Sequence, residues 1–524
     1  MEQGVGIAER LLVTGNLARL ELENIERFGS YTRLYYEDRS YTNLEELRYA
    51  GSLARLLHDH GVRRGDRVAA MLPNSPELTA VFQASWIIGG AIIPVIPQWT
   101  AGEIAHILGG AEPVVGITIP ALASRLEQAN TEIKTLKHLL VFGDSEVAGS
   151  ENILETVQSA PPIESPVDSL PSDLAVLLYT SGTTGAPKGV MLTHENLAAA
   201  WDSACRQNPN LQRGPMLNAL PLTHVYGILA QAVANRCGWS TVLMRQFDPV
   251  KALEFLERYK VRYLPAVPTM LMYLLGHPER PKHDLSSLSR IISGGAALPE
   301  RLRQQCEQVF HCRVEQGYGL SESASVATGY EIDRPYRPGS VGVASPGVEI
   351  CILNDQNQPV PARSNGEICL KGANVMAGYW RDPAATREVL KDGWLHTGDI
   401  GYLDEEAYLF ITDRKKDLII KGGENISPRE IEEAFYLHPV VAEAAVIGVP
   451  DAVYGEEIWA VLQLKTGVHA AEEELRLHVA QYVTKFKVPS HVIFEPMLPK
   501  NLTGKILKYK IRAQLLADIS NGQA

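Results

Sequence analysis

Apolar residues along the chain gather into short runs, separated by stretches with helical spacing. Val68–Leu72 is an apolar run that meets Pro73-Asn74-Ser75-Pro76, the pattern of a buried strand followed by a helix start. The same pattern recurs at Ala91–Ile96 and at Val114–Ile117. Ahead of the first of these runs, Leu47, Ala50, Leu53, Leu56 and Leu57 recur at helical spacing. The most apolar stretch, Ala80–Pro97, is interrupted by Gln83, Gly89-Gly90 and Pro94. It reads as a buried helix, a turn and a core strand rather than a membrane span. Further strands are expected at Leu217–Leu222, Val261–Pro268 and Ile291-Ile292-Ser293. Pro299 is expected to open a helix. Apolar strands alternating with helices predict an α/β fold, its sheets covered by helices.

Past residue 415 the pattern changes. Ser427-Pro428-Arg429-Glu430 has the form of a capping box with proline at the first helical position. Ala444–Val449, Ile458–Leu464 and Val492–Phe494 are strand-like, and Glu472–Val483 is expected to be a helix with Leu475, Leu477, Val479 and Val483 as its apolar stripe. These elements predict a small α+β lobe. Residues 143–173, rich in Ser, Pro and acidic residues, read as a surface loop inside the large domain. No repeat of solenoid or propeller period is visible.

Composition narrows the classes. A chain of 524 residues is too long for one core, so at least two domains are expected. A net charge of -12 argues against nucleic acid or an anionic membrane as the main partner, so any anionic ligand must be held by local groups. Six scattered cysteines, with no Cys-x-x-Cys pair, exclude a disulfide framework and argue against a zinc site. With no basic-then-apolar leader at the N-terminus, a cytoplasmic protein is expected.

The candidate chemistry begins at Tyr179-Thr180-Ser181-Gly182-Thr183-Thr184-Gly185-Ala186-Pro187-Lys188-Gly189, between the apolar runs Leu174–Leu178 and Val190–Leu192. Glycines let backbone N–H groups approach an anion, hydroxyls add donors and the lysine adds a charge, which suits a phosphate cradle. It is not a Walker A loop, because Lys188 precedes Gly189 rather than Ser or Thr opening a helix. Ile292-Ser293-Gly294-Gly295-Ala296 places bare backbone at a strand end, where α/β sheets bind ligands. Gln316-Gly317-Tyr318-Gly319-Leu320-Ser321-Glu322 exposes an aromatic ring between glycines, with a carboxylate four residues on. Four further segments stand out: Pro221-Leu222-Thr223-His224-Val225-Tyr226-Gly227, Thr397-Gly398-Asp399, the charged run Asp413–Asp417 with Gly422-Gly423 behind it, and Pro499-Lys500-Asn501-Leu502-Thr503-Gly504-Lys505.

These motifs, in this order from residue 177 to 508, resemble those of the adenylate-forming superfamily of acyl-CoA synthetases, luciferases and adenylation domains, closest to its AMP-forming fatty acid–CoA ligases. The resemblance implies a large domain over 1–414 and a small mobile domain over 415–524, with Lys416 at the hinge. It assigns ATP or AMP to Thr180, Ser181, Gly182, Thr183, Thr184, Gly185, Lys188, Gly295, Ala296, Gly317, Tyr318 and Gly319. Tyr318 would stack on adenine, Asp399 hold the ribose hydroxyls, and Arg414 contact ribose or α-phosphate. Mg²⁺ would sit on Thr184 and Glu322. The acyl group would lie against His224, Val225, Tyr226, Gly294 and Gly317, with Thr223 standing where the family has an aromatic residue. Lys505 would reach the reacting carboxylate and the α-phosphate of ATP, with His224 and Arg414 as further catalytic residues, and Gly422-Gly423 would line the CoA pantetheine tunnel once the small domain turns.

The implied activity uses ATP, Mg²⁺ and CoA to convert a carboxylic acid, expected to be a medium- or long-chain fatty acid, into its thioester. The aliphatic choice rests on Gly317, Gly319, Val225, Ile228 and Val267 as walls of an open aliphatic channel. The alternatives are an aryl acid of benzoate or coumarate type, an amino-acid or acyl adenylating enzyme loading a carrier protein, a luciferase, and a nucleotide-responsive binding protein without catalysis. His224–Ala230 contains no aspartate to hold a substrate amine, which counts against the amino acid. Monomer and homodimer both remain open, as does peripheral membrane contact.

Overall fold

The computed structural model describes residues 15–143, 147–180, 187–208, 211–331, 333–500 and 504–520. The first sheet has eight strands. Its spatial order is Gly378–Tyr379, β2 (Lys188–Thr193), β1 (Leu174–Thr180), Ala91–Pro94, Arg67–Met71, Val115–Thr118, His138–Val141 and Glu151–Asn152. From β1 outward through Ala91–Pro94 the strands pair in parallel, whereas β1 and β2 are antiparallel and joined by the glycine-rich loop. Val68, Ala69, Ala70 and Met71 are fully buried, as a parallel strand covered on both faces requires. One covering helix, Pro76–Ile87, starts as its sequence predicts, with Ser75 accepting from the Leu78 N–H and proline in the first turn.

The second sheet has seven strands and carries more of the site. Helices α1 (His194–Arg206) and α2 (Val225–Arg236) precede its three strands β3 (Tyr263–Ala266), β4 (Arg290–Ser293) and β5 (Arg313–Gln316), which pair in parallel at one edge. Their C-terminal ends open into the Gly294-Gly295 and Gly317-Tyr318-Gly319 turns, the place where α/β sheets bind ligands. A third, antiparallel sheet holds β6 (Trp394–Leu403) beside β7 (Leu409–Arg414).

The small lobe begins with β8 (Ile419–Lys421). It continues through α3 (Pro428–Tyr436), β9 (Val441–Asp451) and β10 (Gly455–Leu464), with His491–Phe494 parallel to β10. Its own core includes Ile431, Phe435, Val446, Leu462 and Leu475.

Several expectations change. The helix over 472–483 ends at Val479, and Leu477 is 60 % exposed. Leu475, Leu477 and Val479, two apart, cannot share a face of a helix with 3.6 residues per turn. The strand expected over 217–222 is only Met216–Asn218, because the Asn218 side chain accepts the Leu220 N–H and turns the chain. The capping box at Ser427 is half made: Ser427 Oγ takes the Glu430 N–H, but the Glu430 carboxylate pairs with Lys487. The surface segment 143–173 contains a short helix, Leu154–Ser159.

Candidate active site

A cavity of about 1230 Å³ lies between the C-terminal ends of the parallel strands, β6, β7 and the small lobe. Thr180, Lys188, His224, Val225, Tyr226, Gly294, Gly295, Gly317, Tyr318, Gly319, Glu322, Arg414, Lys416 and Lys505 all line it. Sites separated by more than 300 positions in sequence therefore meet in one chamber. Ser181, Gly182, Thr183, Thr184 and Gly185 of the phosphate loop, with the Thr184 metal assignment, lie outside the described residues. Ala296 is not on the wall; its carbonyl accepts from Gln316.

The end expected to take the nucleotide is built by strand pairing. Asp399 on β6 lies directly opposite Arg414 on β7, so the guanidinium Nε reaches the carboxylate at 2.7 Å. The Tyr318 hydroxyl donates to the same carboxylate at 2.6 Å. Asp399 is only 4 % exposed and stands behind Tyr318 and Arg414 rather than on the wall, so the ribose contact expected of it would have to displace one of these partners. Burial, with the nearby Asp399 carboxylate, pushes the Tyr318 phenol well above its usual range, so it remains a donor.

At the phosphate end, the Tyr379 hydroxyl donates to Glu322 Oε1 at 2.8 Å. The Lys188 ammonium lies over the Tyr379 ring, 5.3 Å from its centroid. Tyr379 thus links the lysine of the phosphate loop to the carboxylate expected to hold the metal, a role its sequence context did not signal. Among the described residues no cluster of three His, Cys, Asp or Glu side chains could hold a metal alone. One carboxylate beside a phosphate site suits Mg²⁺, which is usually bound through one or two carboxylates together with substrate phosphates and water.

The lysine of the small lobe enters from the far side. A side chain placed at Gly504 would come within 2.6 Å of Thr269 Oγ1, so this segment is pressed against the large domain. Lys500 and Lys508, its neighbours in sequence, are spent on ion pairs with Glu443 and Glu432. Burial, then the Arg414 charge, lowers the Lys505 ammonium to about 8; Asp399 and Asp417 offset part of this. Its charge is felt by His224, whose pKa burial and Lys505 bring down to about 4. His224 is therefore a neutral imidazole, and Nδ1 accepts the Tyr226 N–H at the start of α2. Gly422 and Gly423 are exposed and do not line the cavity.

The acyl end departs from an open aliphatic channel. Along α2, Tyr226, Leu229, Ala230 and Val233 face the cavity at helical spacing, whereas Ile228 faces the opposite way into the core of the first sheet. Val267 likewise packs into the core of the second sheet. The Tyr226 hydroxyl donates to the Ile292 carbonyl at 2.7 Å, and the ring lies where a Gly294 side chain would be, 3.0 Å away. Glycine at 294 is what lets the ring close this wall. The deeper wall holds the stacked pair Trp239 and Tyr263, ring centroids 4.3 Å apart, and polar residues that sequence reading missed: Gln207, Asn208, Arg290 and Glu315. No local motif marks these four; only the fold brings them together.

Comparison with known proteins identifies the family. The family model for AMP-binding enzymes matches residues 22–380, and that for the AMP-binding enzyme C-terminal domain matches 430–505. A long-chain-fatty-acid–CoA ligase of Bacillus subtilis is 35% identical over 518 residues, covering 93% of this chain and 92% of the relative. A 4-coumarate-CoA ligase of Narcissus pseudonarcissus is 32% identical, covering 89% of this chain and 87% of its own. The ATP-bound crystal structure of MatB from Rhodopseudomonas palustris superimposes with a TM-score of 0.87 at 30% identity, covering 95% of this chain and 98% of that one. Among the described residues no helix is long and apolar enough to cross a membrane. With both models matched in order and the motif residues gathered around one cavity, the chain belongs to the family of AMP-binding enzymes.

Proposed function

We propose that the protein is an AMP-forming acid–CoA ligase whose preferred substrate is a fatty acid. The observation that carries this reading is Lys505 on the wall of the cavity that also holds Tyr318, Glu322 and Arg414. A carboxylate is a poor electrophile, and its attack on the α-phosphate of ATP brings two anions together. The step is helped chiefly by charge neutralisation and positioning. Lys505 is largely protonated at neutral pH, and with Arg414 it supplies cations where the acid and α-phosphate meet. The carboxylate oxygen bonds to the α-phosphorus, pyrophosphate leaves, and the acyl-adenylate remains. Lys188 holds the outgoing phosphates. Glu322, with Thr184, would hold Mg²⁺, which when bound screens the charge on those phosphates.

In the second step the CoA thiolate attacks the acyl carbon and AMP leaves with the carboxyl oxygen. Neutral His224 beside the acyl carbon adds no charge that would trap the leaving nucleotide. The small lobe, beginning near Lys416, turns to replace the Lys505 face with the Gly422-Gly423 face, opening a path for pantetheine. The exposure of both glycines and their absence from the present wall fit a surface waiting its turn. The free cysteines suit a reducing, cytoplasmic compartment.

An aryl acid is the second reading, favoured by the stacked Trp239–Tyr263 wall. AMP release from ATP, with and without CoA, across acetate, octanoate, palmitate, benzoate, coumarate and amino acids tests both. CoA-dependent turnover of an alkanoate supports the ligase reading; turnover independent of CoA, or silence with every acid, overturns it.

A further inference from the structure

The six cysteines are scattered in the sequence, yet two of them meet sulfur to sulfur. Cys205 stands one residue before the end of α1, and Cys237 caps the C-terminus of α2. Their Sγ atoms are 3.5 Å apart. The packing of the two helices holds them there. Asp202, three positions before Cys205 and so on the same helix face, forms an ion pair with Arg236, the neighbour of Cys237. Both members of that pair are largely buried, which fixes the two helix ends side by side. A disulfide holds its sulfurs at about 2.05 Å, so closing this pair asks for a movement of only about 1.5 Å.

The two thiols are unlike. Cys205 is buried, whereas Cys237 is partly open to solvent. Cations also gather at Cys237. Arg236 precedes it, and the Arg27 and Arg213 guanidinium groups stand over the Phe28 ring, 4.9 and 4.3 Å from its centroid. That ring lies 2.8 Å from where a side chain on Gly238, the next residue, would begin. Contact with the Cys205 thiol, then the Arg236, Arg27 and Arg213 charges, lowers the Cys237 thiol from its ordinary range against the cost of burial. The same contact, together with burial, raises Cys205.

The other four cysteines lack this setting. Burial pushes the thiols of Cys306, Cys312 and Cys369 up to about 12. Cys351 and Cys369 stand directly opposite on the antiparallel strands Val348–Leu353 and Gly366–Gly372, but the Cys351 thiol is turned to the Ile352 carbonyl.

We propose that Cys205 and Cys237 are a redox modification site, at which hydrogen peroxide oxidises the Cys237 sulfur and Cys205 then closes on it as a disulfide. The Cys237 thiolate attacks one peroxide oxygen. An S–O bond forms, the O–O bond breaks, and the hydroxide that leaves takes up the proton released by the Cys237 thiol. Cys237 is now a sulfenic acid. The Cys205 sulfur attacks the Cys237 sulfur: the S–S bond forms, the S–O bond breaks, and hydroxide departs with the Cys205 proton as water. The two sulfurs together give up two electrons, and the peroxide ends as two waters. The bond staples two helices that wall the cavity, α1 through Ala204 and α2 through Leu229, Ala230 and Val233.

This site stands apart from the ligase reading, because its test counts thiols and not turnover. The full chain is reduced, freed of reductant and treated with hydrogen peroxide near neutral pH. Remaining thiols are alkylated under denaturing conditions and mapped by mass spectrometry. The expected result is six alkylated cysteines before treatment. After it, Cys205 and Cys237 are joined in one cross-linked peptide pair and the rest stay alkylated. Dithiothreitol restores all six. Free Cys237 disappears at least roughly tenfold faster than Cys306, Cys312, Cys351 or Cys369. In Cys205→Ala the Cys237 sulfenic acid persists and is trapped by dimedone. A bridge that omits either cysteine, loss of Cys237 no faster than that of the other four, or a folded Cys205→Ala with no dimedone adduct on Cys237 overturns the assignment. The wild-type map decides by itself if Cys205→Ala does not fold.

Discussion

The Gly504-Lys505 segment and the Gly422-Gly423 turn belong to one small lobe but face opposite surroundings. The first is pressed against Thr269 of the large domain and sends a half-buried ammonium into the cavity. The second is exposed, its backbone in the left-handed region with φ of 58° and 84°, and its nearest large neighbours are Phe486 and Tyr454 of its own lobe. Adenylation needs a cation, while thioester formation needs a narrow path past bare backbone. In the proposed function, a single lobe that carries both on different faces would serve the two steps in turn, and Lys505 on the cavity wall is what the adenylation step would require.

The sharpest way to break this comparison is Lys505→Ala. Acyl-adenylate formation is expected to fall by about 10²- to 10³-fold, the usual effect of losing one well-placed donor. Thioester formation from supplied acyl-adenylate should stay within about threefold; equal loss of both half-reactions in rapid-quench assays would show that the two faces are not separate. Next in size is Gly504→Ala. Position 504 has φ of 75° and a side chain there meets Thr269, so strain of about 1–2 kcal/mol should weaken docking and slow adenylation by roughly tenfold. Gly422→Ala should do the reverse: adenylation unchanged and the CoA step slower by about three- to tenfold from the same left-handed strain, read as CoA-dependent turnover.

The smallest effect is the pH dependence. In its proposed role Lys505 assists adenylation only while protonated, and its pKa is lowered to about 8, so the adenylation rate should halve near that pH and keep falling above it. Because the unliganded ammonium is disfavoured by burial, ATP binding above that pH should take up a proton, detectable calorimetrically in buffers of different ionisation enthalpy. His224, brought down to about 4, should add no inflection between pH 5 and 7. A pH profile for adenylation that is flat through 8 would remove Lys505 from the charge-neutralising role.

The end of the site proposed to take the nucleotide was legible because its residues are written in short contiguous strings. Gly317-Tyr318-Gly319 with Glu322 nearby, Thr397-Gly398-Asp399 and Gly504-Lys505 each set a polar side chain close to glycine, and of these side chains Tyr318, Glu322 and Lys505 line the cavity whereas Asp399 does not. Asp399 shows the limit of such reading. Its pairing with Arg414 follows from the register of β6 on β7, and its bond to Tyr318 from the packing of a separate loop. Tyr379 escaped notice for the same reason: its partners, Lys188 and Glu322, come from two other segments.

By itself, the sequence determined the α/β class, the small α+β lobe and the identity of the charged groups gathered around the cavity. Apolar periodicity and glycine placement act over a few residues, and local sterics enforce them whatever lies nearby. The tertiary structure alone decided what the inner acyl wall is made of. Ile228 turns away because of its angular position on α2, while Gln207, Arg290 and Glu315 converge from the end of a helix and from two adjacent parallel strands. A pocket's chemistry is the sum of side chains that share a volume rather than a neighbourhood in sequence, and only the packing of sheets and helices fixes which ones those are.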